Sequence, residues 1–426
     1  MKNIILISYD FPPLSGPRSL RWLQFVKYLS KDYLIDVLTI QPEKGYGNYD
    51  RSLIYQIPKN VRIYRTYPGF IHRFSYRYLP LEKIKKVRKK SFKIILRKGI
   101  KNIYKNILSP FLIPDKMVEW LPWGLKKAKN LVRKKKYDLI ISSAVPFIDH
   151  LIGYFIKKKT GISWIADYGD PWAFNPFFPF PWRRHFIDCH LEAKLIKNMD
   201  NIIVTTKETA DGFVKHYPFL DCQKITIIPC GYDYKDFQQV KPDKGKKFRI
   251  VYTGIFYKDR SPDIFLKSIK ELNFDFELVI AGDISPEYIK IIEDLGIEEK
   301  VKLLGHQSHQ QAIALQKGAD VLLLLGWLKG YQIPAKIFEY FGACCPILSI
   351  KFDEKDIAAR LIQKYNRGFI IYNNTKEIIS AIKKMYNLWQ KGKFESCFDL
   401  GELKEYSWDI LAENLKKLIE KVTFNS

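Results

Sequence analysis

Residues 249–269 read RIVYTGIFYKDRSPDIFLKSI. Arg249–Thr253 is short, apolar and β-branched, as a strand buried on both faces should be. Gly254 ends that run, Lys258 and Arg260 follow in a loop, and a helical period begins after Pro262. One strand, one loop and one helix make a βα unit. The unit recurs downstream, with strand-like runs at Glu277–Ala281, Val301–Leu304, Val321–Leu325, Ile347–Ile350 and Gly368–Ile371 and helical periods between them. Such alternation predicts a parallel, doubly wound sheet.

An independent series precedes it. Strands are expected at Asn3–Ser8, Ile35–Ile40, Asp138–Ser143, Ser163–Asp167, Asn201–Thr206 and Ile225–Pro229, with crossover helices such as Arg18–Ser30, Asp149–Lys159 and Asp188–Met199. Asp233–Lys247 is polar, contains Pro242 and Gly245, and reads as a linker. The expected organisation is therefore an N-terminal domain over 1–232, a linker over 233–247 and a C-terminal domain over 248–405. A final helix over 406–426 is expected to pack back on the first domain. Ligands of such sheets bind at the carboxyl ends of the strands. Two sheets with those ends opposed predict a deep cleft.

Composition sets bounds on function. The 426 residues are 47% hydrophobic and 27% charged, and favour more than one core. MKNIILIS reads as a strand and is too short for a secretory signal, and VLLLLGWL (Val321–Leu328) is too short to cross a bilayer. The six cysteines show neither a CxxC pair nor zinc spacing, and read as thiols of a reducing cytoplasm. The net charge of +26 requires an anionic partner. Between Leu81 and Lys136 stand nineteen Lys and Arg against Glu82, Asp115 and Glu119. Leu81, Ile84, Val87, Ile94, Ile95, Ile100, Ile103, Tyr104 and Ile107 recur there at helical spacing, with Lys85, Lys86, Lys89 and Lys90 among them. The pattern fits an interfacial helix on an anionic membrane, or a solvated helix packing its apolar stripe on the core. No DNA- or RNA-reading motif accompanies the charge, so nucleic acid is not an expected partner.

Three segments carry chemistry. After the first strand comes YDFPPLSGPRSLR, in which Gly16 permits a tight turn before a helix begins near Arg18. Arg18 and Arg21 in its first turn oppose the helix dipole, which suits an anionic ligand better than stability. In the second series, Gly254 and Arg260 flank a strand-to-helix loop where a guanidinium can clamp a diphosphate. The third is GWLKGYQIPAKIFEYFG, where Ile333 and Pro334 lead into a helix carrying Lys336 and Glu339 three apart on one face. There a carboxylate can accept both ribose hydroxyls; a surface Lys–Glu pair is the plain alternative. No DxD metal motif is present, since Asp275-Phe276-Glu277 fits strand alternation.

FPPLSGPRSLR, the Ile113–Trp120 stretch, ISSAVPFIDHLIG, WIADYGDPW, IPCGYD, VYTGIFYKDR and PAKIFEYFG together resemble the retaining glycosyltransferases of family 4 over nearly the whole chain. The resemblance implies the GT-B fold and transfer of a sugar from a nucleotide-diphosphate donor with retained configuration, without metal or other cofactor. It places Gly16, Arg18, Gly254, Ile333, Pro334 and Glu339 on the donor, Arg260 and Lys336 on its diphosphate, and His150 and Asp170 on the acceptor side. His150 reads equally as a satisfied core histidine. The acceptor implied is lipid-linked or a saccharide, in O-antigen, capsule or exopolysaccharide assembly at the inner face of the plasma membrane. Three positions depart from the family pattern: Tyr331 for the first acid of Glu-x(7)-Glu, Gly169 for a basic residue and Cys230 for Asn. A sugar-nucleotide 2-epimerase of the same architecture, or a non-catalytic nucleotide-sugar-binding protein, are the alternatives.

Overall fold

The computed structural model of the protein describes residues 1–42, 49–70, 112–176, 181–256, 260–327 and 332–424. The first sheet comprises β1 (Asn3–Ile7), β2 (Leu34–Ile40), β3 (Arg62–Thr66), β4 (Leu139–Ala144), β5 (Ser163–Tyr168), β6 (Asn201–Val204) and β7 (Ile225–Ile227). Its order is β3-β2-β1-β4-β5-β6-β7, and every pairing is parallel. The second comprises β8 (Phe248–Thr253), β9 (Phe276–Ala281), β10 (Val301–Gly305), β11 (Val321–Leu325), β12 (Ile347–Lys351) and β13 (Gly368–Tyr372). It is ordered β10-β9-β8-β11-β12-β13 and is also entirely parallel. The strand order reverses between β1 and β4 in one sheet and between β8 and β11 in the other. These are the switch points at which loops leave in opposite directions and a ligand can enter.

The predicted strands are present, and one was missed. β3 has the sequence RIYRT, pairs with β2 alone among the described strands, and is half exposed along most of its length. An edge strand of this kind carries charge against further pairing and lacks the continuous apolar signal of a central strand. Its Arg62 makes two bonds to Asp36, at 2.8 and 3.0 Å.

The chain divides into two compact units, Met1–Pro229 with Ala412–Ser426, and Cys230–Leu411. The stretch read as a linker, 233–247, is folded into the second unit. Asp233 caps a helix over Tyr234–Gln239, whose Phe237 is buried. Lys317 donates to the carbonyls of Phe237 and Val240, and the Asp243 N–H reaches Ala314 O at 2.9 Å. Tertiary partners thus satisfy a backbone whose composition alone suggests solvent. From Ala412 onward the last helix, Trp408–Phe424, belongs to the first unit, where Lys416 pairs with Asp32.

The proposed Leu81–Leu108 amphipathic helix lies outside the described residues. The described part of the basic stretch is a helix over Leu121–Lys134, which buries Gly124, Ala128 and Leu131. A side chain at Gly124 would strike Ile152 on the helix Ile148–Thr160, so the two helices approach closely there. Among the described residues no helix is long and apolar enough to cross a membrane.

Candidate functional site

In the second unit the loops after β8 and β11 open at the switch point. Gly254 follows β8 with φ +128, a conformation that only glycine adopts cheaply. A Cβ there would also collide with the Lys336 ammonium. Lys336, first residue of the helix Lys336–Ala343, donates to Thr253 O and lies 4.2 Å over the Tyr252 ring. Burial, reinforced by the positive charge of Arg260 and opposed by Glu339, pulls the Lys336 ammonium down to about 7. Two cations therefore share a partly desolvated site, a poor arrangement for an empty protein and a good one for a polyanion.

Arg260 is 5% exposed and stacks on Trp327 with its guanidinium carbon 3.6 Å from the ring centroid. One helical turn from Lys336, Glu339 accepts from Gln316 Nε2 at 3.0 Å, and the same amide reaches Thr253 Oγ1 at 2.9 Å. His309, paired with Asp236 at 3.2 Å, feels both the cost of burial and the charges of Asp236 and Glu339. The charges win and hold its pKa above the ordinary value. Pro334 is buried and Ile333 packs against the core around this helix. The N–H groups of Ile337 and Phe338 at this helix start bond to Pro334 O at 3.0 Å and Ala335 O at 3.2 Å, so these two are already taken within the turn. Tyr331 and Lys258 lie outside the described residues.

In the first unit the structure redistributes the expected roles. Gly16 caps the helix Pro17–Leu29 at φ −69, ψ 159, which any residue can adopt, so the turn does not demand glycine. The reading of Arg21 as a ligand for an anion is overturned. It is 1% exposed and holds Asp167 at 3.1 and 3.2 Å, with Ile228 O and Pro229 O accepting two more of its N–H groups at 2.9 and 2.6 Å. Asp167 also accepts from Trp22 Nε1 at 2.9 Å and from Arg18 at 3.2 Å. Burial alone would raise the Asp167 pKa; Arg21 and Arg18 outweigh it and hold it below the usual range.

Arg18 keeps 15% of its side chain exposed. Its guanidinium occupies the space that a side chain at Gly169 would need, and it lies close enough to Asp170 to oppose the burial that raises that carboxyl's pKa. His150 is fully buried, with Nδ1 2.8 Å from Ser142 Oγ and its ring 4.4 Å from that of Tyr168. Burial pushes its imidazole down to about 3, so it is neutral at physiological pH. Of the two expected acceptor-side residues, Asp170 alone is partly exposed.

Several groups carried no sequence signal. Asp10, just beyond β1, is partly exposed, and burial with the nearby charge of Asp115 pushes its carboxyl up to about 7. Asp115 accepts the N–H groups of Met117, Phe147 and Ile148 at 2.9, 2.6 and 3.1 Å. The conspicuous Ile113–Trp120 stretch thus braces the start of the helix Ile148–Thr160. Glu192 accepts from Ala173 N at 3.0 Å and Tyr217 OH at 2.6 Å, anchoring the turn that bears Asp170. Glu277 is tied to Arg249 and Lys302 and plays a structural part. Among the described residues no group of three or more His, Cys, Asp or Glu is arranged to hold a metal ion.

Comparison with known proteins gives two family matches: the glycosyl transferases group 1 model over residues 233–397 and the glycosyltransferase family 4 model over 87–236. An uncharacterized glycosyltransferase of Methanocaldococcus jannaschii is 21% identical over 76% of this chain and 87% of its own length. A D-inositol 3-phosphate glycosyltransferase of Corynebacterium diphtheriae is 19% identical over 39% of this chain and 44% of its own. Among solved structures, a glycosyltransferase from Rickettsia africae superposes with a TM-score of 0.68 at 13% identity, covering 100% of both chains. Anabaena HepE in complex with UDP-glucose gives a TM-score of 0.67 at 10% identity, over 99% of this chain and 100% of its own.

Proposed function

Because the chain belongs to the group 1, family 4 glycosyltransferases and has their GT-B fold, we propose that it is a retaining glycosyltransferase of cell-surface polysaccharide assembly. It moves a sugar from a nucleotide-diphosphate donor to a lipid-linked or saccharide acceptor. One observation carries the reading: Lys336, Arg260 and Glu339 meet beside Gly254 at the switch point of the second unit. In this reading Lys336 and Arg260 hold the diphosphate, and Glu339, oriented by Gln316, accepts the ribose hydroxyls.

The donor's bond from the anomeric carbon to the diphosphate oxygen breaks as the acceptor oxygen bonds to the same face. The acceptor's proton passes to the departing phosphate oxygen, so no dedicated protein base is required. The residues supply position and stabilise charge on the leaving group. Asp170 lines the acceptor side, which His150 supports through Ser142 and Tyr168, and Gly16 and Arg18 keep the donor-binding part that the resemblance gives them. The HepE complex with UDP-glucose supports a nucleotide-sugar donor.

The test is incubation with a panel of UDP-, GDP- and dTDP-sugars, with and without polyprenyl-diphosphate-linked saccharides, followed by NMR of the products. Transfer with retained anomeric configuration, and at most slow hydrolysis without acceptor, is expected. Inverted product would contradict the reading. Conversion of UDP-GlcNAc to its 2-epimer without acceptor would identify an epimerase. Binding abolished by Glu339→Ala but no turnover on any acceptor would indicate a non-catalytic nucleotide-sugar-binding protein.

Attachment to the inner face of an anionic membrane belongs to the same proposal. Lys126, Lys129 and Arg133 of the helix Leu121–Lys134 and Lys159 of the neighbouring helix line a groove of about 300 Å³ that has no acid in its wall. Each cation near an anionic surface contributes about 1 kcal/mol. Replacing Lys126 and Lys129 together by Gln should therefore weaken partition onto phosphatidylglycerol vesicles roughly 30-fold. Unchanged sedimentation with vesicles would remove this groove from the account.

A further inference from the structure

We infer that Trp327 is a positioning residue that presents the Arg260 guanidinium to the donor diphosphate, an inference that rests on the reading of Arg260 as a diphosphate ligand. The two residues come from the loops that open at the switch point, Arg260 after β8 and Trp327 after β11. Those strands are paired neighbours, and the Arg260 guanidinium carbon lies over the indole, 3.6 Å from its ring centroid.

Trp327 is itself held. Asp356 is 2% exposed and caps the helix Ile357–Lys364 through the N–H groups of Ala358 and Ala359 at 2.9 and 3.2 Å. Its carboxylate also accepts the Trp327 backbone N–H. A side chain at Gly326 would collide with that carboxylate, so the chain passes close to it only because residue 326 is glycine. Gly326 N further bonds to Ile350 O at 2.9 Å. The indole therefore stands on a backbone pinned to β12 and to a helix cap.

A guanidinium is flat and carries its N–H donors in its plane. Stacking on the indole occupies a face and aims the donors along the edge, where a diphosphate can take two of them together. The stack also removes rotamer freedom from a long side chain before the ligand arrives, so less is lost on binding. A partly desolvated Arg–Trp stack of this kind is worth roughly tenfold in an equilibrium.

The test compares binding of UDP, GDP and ADP with that of the matching monophosphates by titration calorimetry. The nucleoside with the largest diphosphate preference is then followed in variants. Arg260→Ala should reduce the preference by more than tenfold, with the remainder resting on Lys336, Trp327→Ala should reduce it about tenfold, and Trp327→Phe should retain most of it, since a flat ring remains. The double variant Arg260→Ala/Trp327→Ala should be no worse than Arg260→Ala alone, because both act through one contact. An unchanged preference in Trp327→Ala, or a loss that adds in full to that of Arg260→Ala, would overturn the inference while leaving Arg260 in its role. An undiminished preference in Arg260→Ala would instead refute the reading of Arg260, and the inference with it.

Discussion

Lys336→Met should lower kcat/KM for the donor between roughly 100- and 1,000-fold, the usual cost of removing one preorganised group aimed at developing charge. The substitution keeps the length of the side chain and removes only the ammonium. What makes Lys336 unusual is its depressed pKa, about 7, set first by burial and then by Arg260, with Glu339 opposing. A bound diphosphate supplies the missing negative charge and raises that pKa again. Donor binding above pH 7 must therefore take up a proton at Lys336. The ammonium is the form that binds, so kcat/KM in the wild type should fall with rising pH above about 7. In Lys336→Met the same profile should be flat over that range. Calorimetry at pH 8 in two buffers of different ionisation enthalpy should show uptake of up to about one proton per donor bound, lost in the variant.

The stability sign follows from the same depression. The folded-state pKa lies below the unfolded value of 10.5, so the unfolded chain binds more protons between the two. Stability of the unliganded protein therefore rises with pH across that window and falls as pH drops toward 7. Lys336→Met removes this buried charge, and should leave the unliganded fold at least as stable as the wild type at pH 7. A loss of activity accompanied by a loss of stability, with an unchanged pH profile, would make Lys336 a structural residue.

Asp167→Asn should destabilise the first unit by about 3–5 kcal/mol, the cost of leaving a buried cation without its counter-charge. Arg21 is 1% exposed and pairs with Asp167, and the carbonyls of Ile228 and Pro229 accept further N–H groups from it. The carboxylate also joins Trp22 and Arg18 to β5. The substitution therefore loosens the helix Pro17–Leu29 from β5 and from the chain beyond β7 together. For a unit of this size the shift in midpoint should be on the order of 10 °C in a thermal scan. A shift below about 2 °C would mean that solvent or a rearranged Arg21 replaces the pair. Because Asp167 is held below the usual carboxylate range, its contribution is complete above the unfolded pKa. It is lost only as pH falls through the lower folded value.

The legibility of each part of the molecule depended on how local its physics is. Central parallel strands such as β1 and β11 are buried on both faces and appear as unbroken apolar runs, whereas β3 hides behind RIYRT because an edge strand faces solvent. Lys336 and Glu339 were legible because one helical turn joins them. The side chains beside the site were not, since Gln316, bonded to Glu339, and Trp327, beneath Arg260, come from other βα units and belong to no short motif. Arg21 looked functional because a cation in the first helical turn is locally unfavourable. Its partner Asp167 lies 146 positions away, and only the fold shows that the cost is met internally. The linker reading of 233–247 failed for the related reason that Lys317 and Ala314 supply partners absent from the segment itself.

The most direct test of the central claim is a crystal structure of the protein with the nucleoside diphosphate it binds most tightly. The account predicts phosphate oxygens within hydrogen-bonding distance of both the Lys336 ammonium and the Arg260 guanidinium, with the ribose hydroxyls on Glu339. A nucleotide seated away from Lys336 and Arg260, or a ribose with no contact to Glu339, would contradict it.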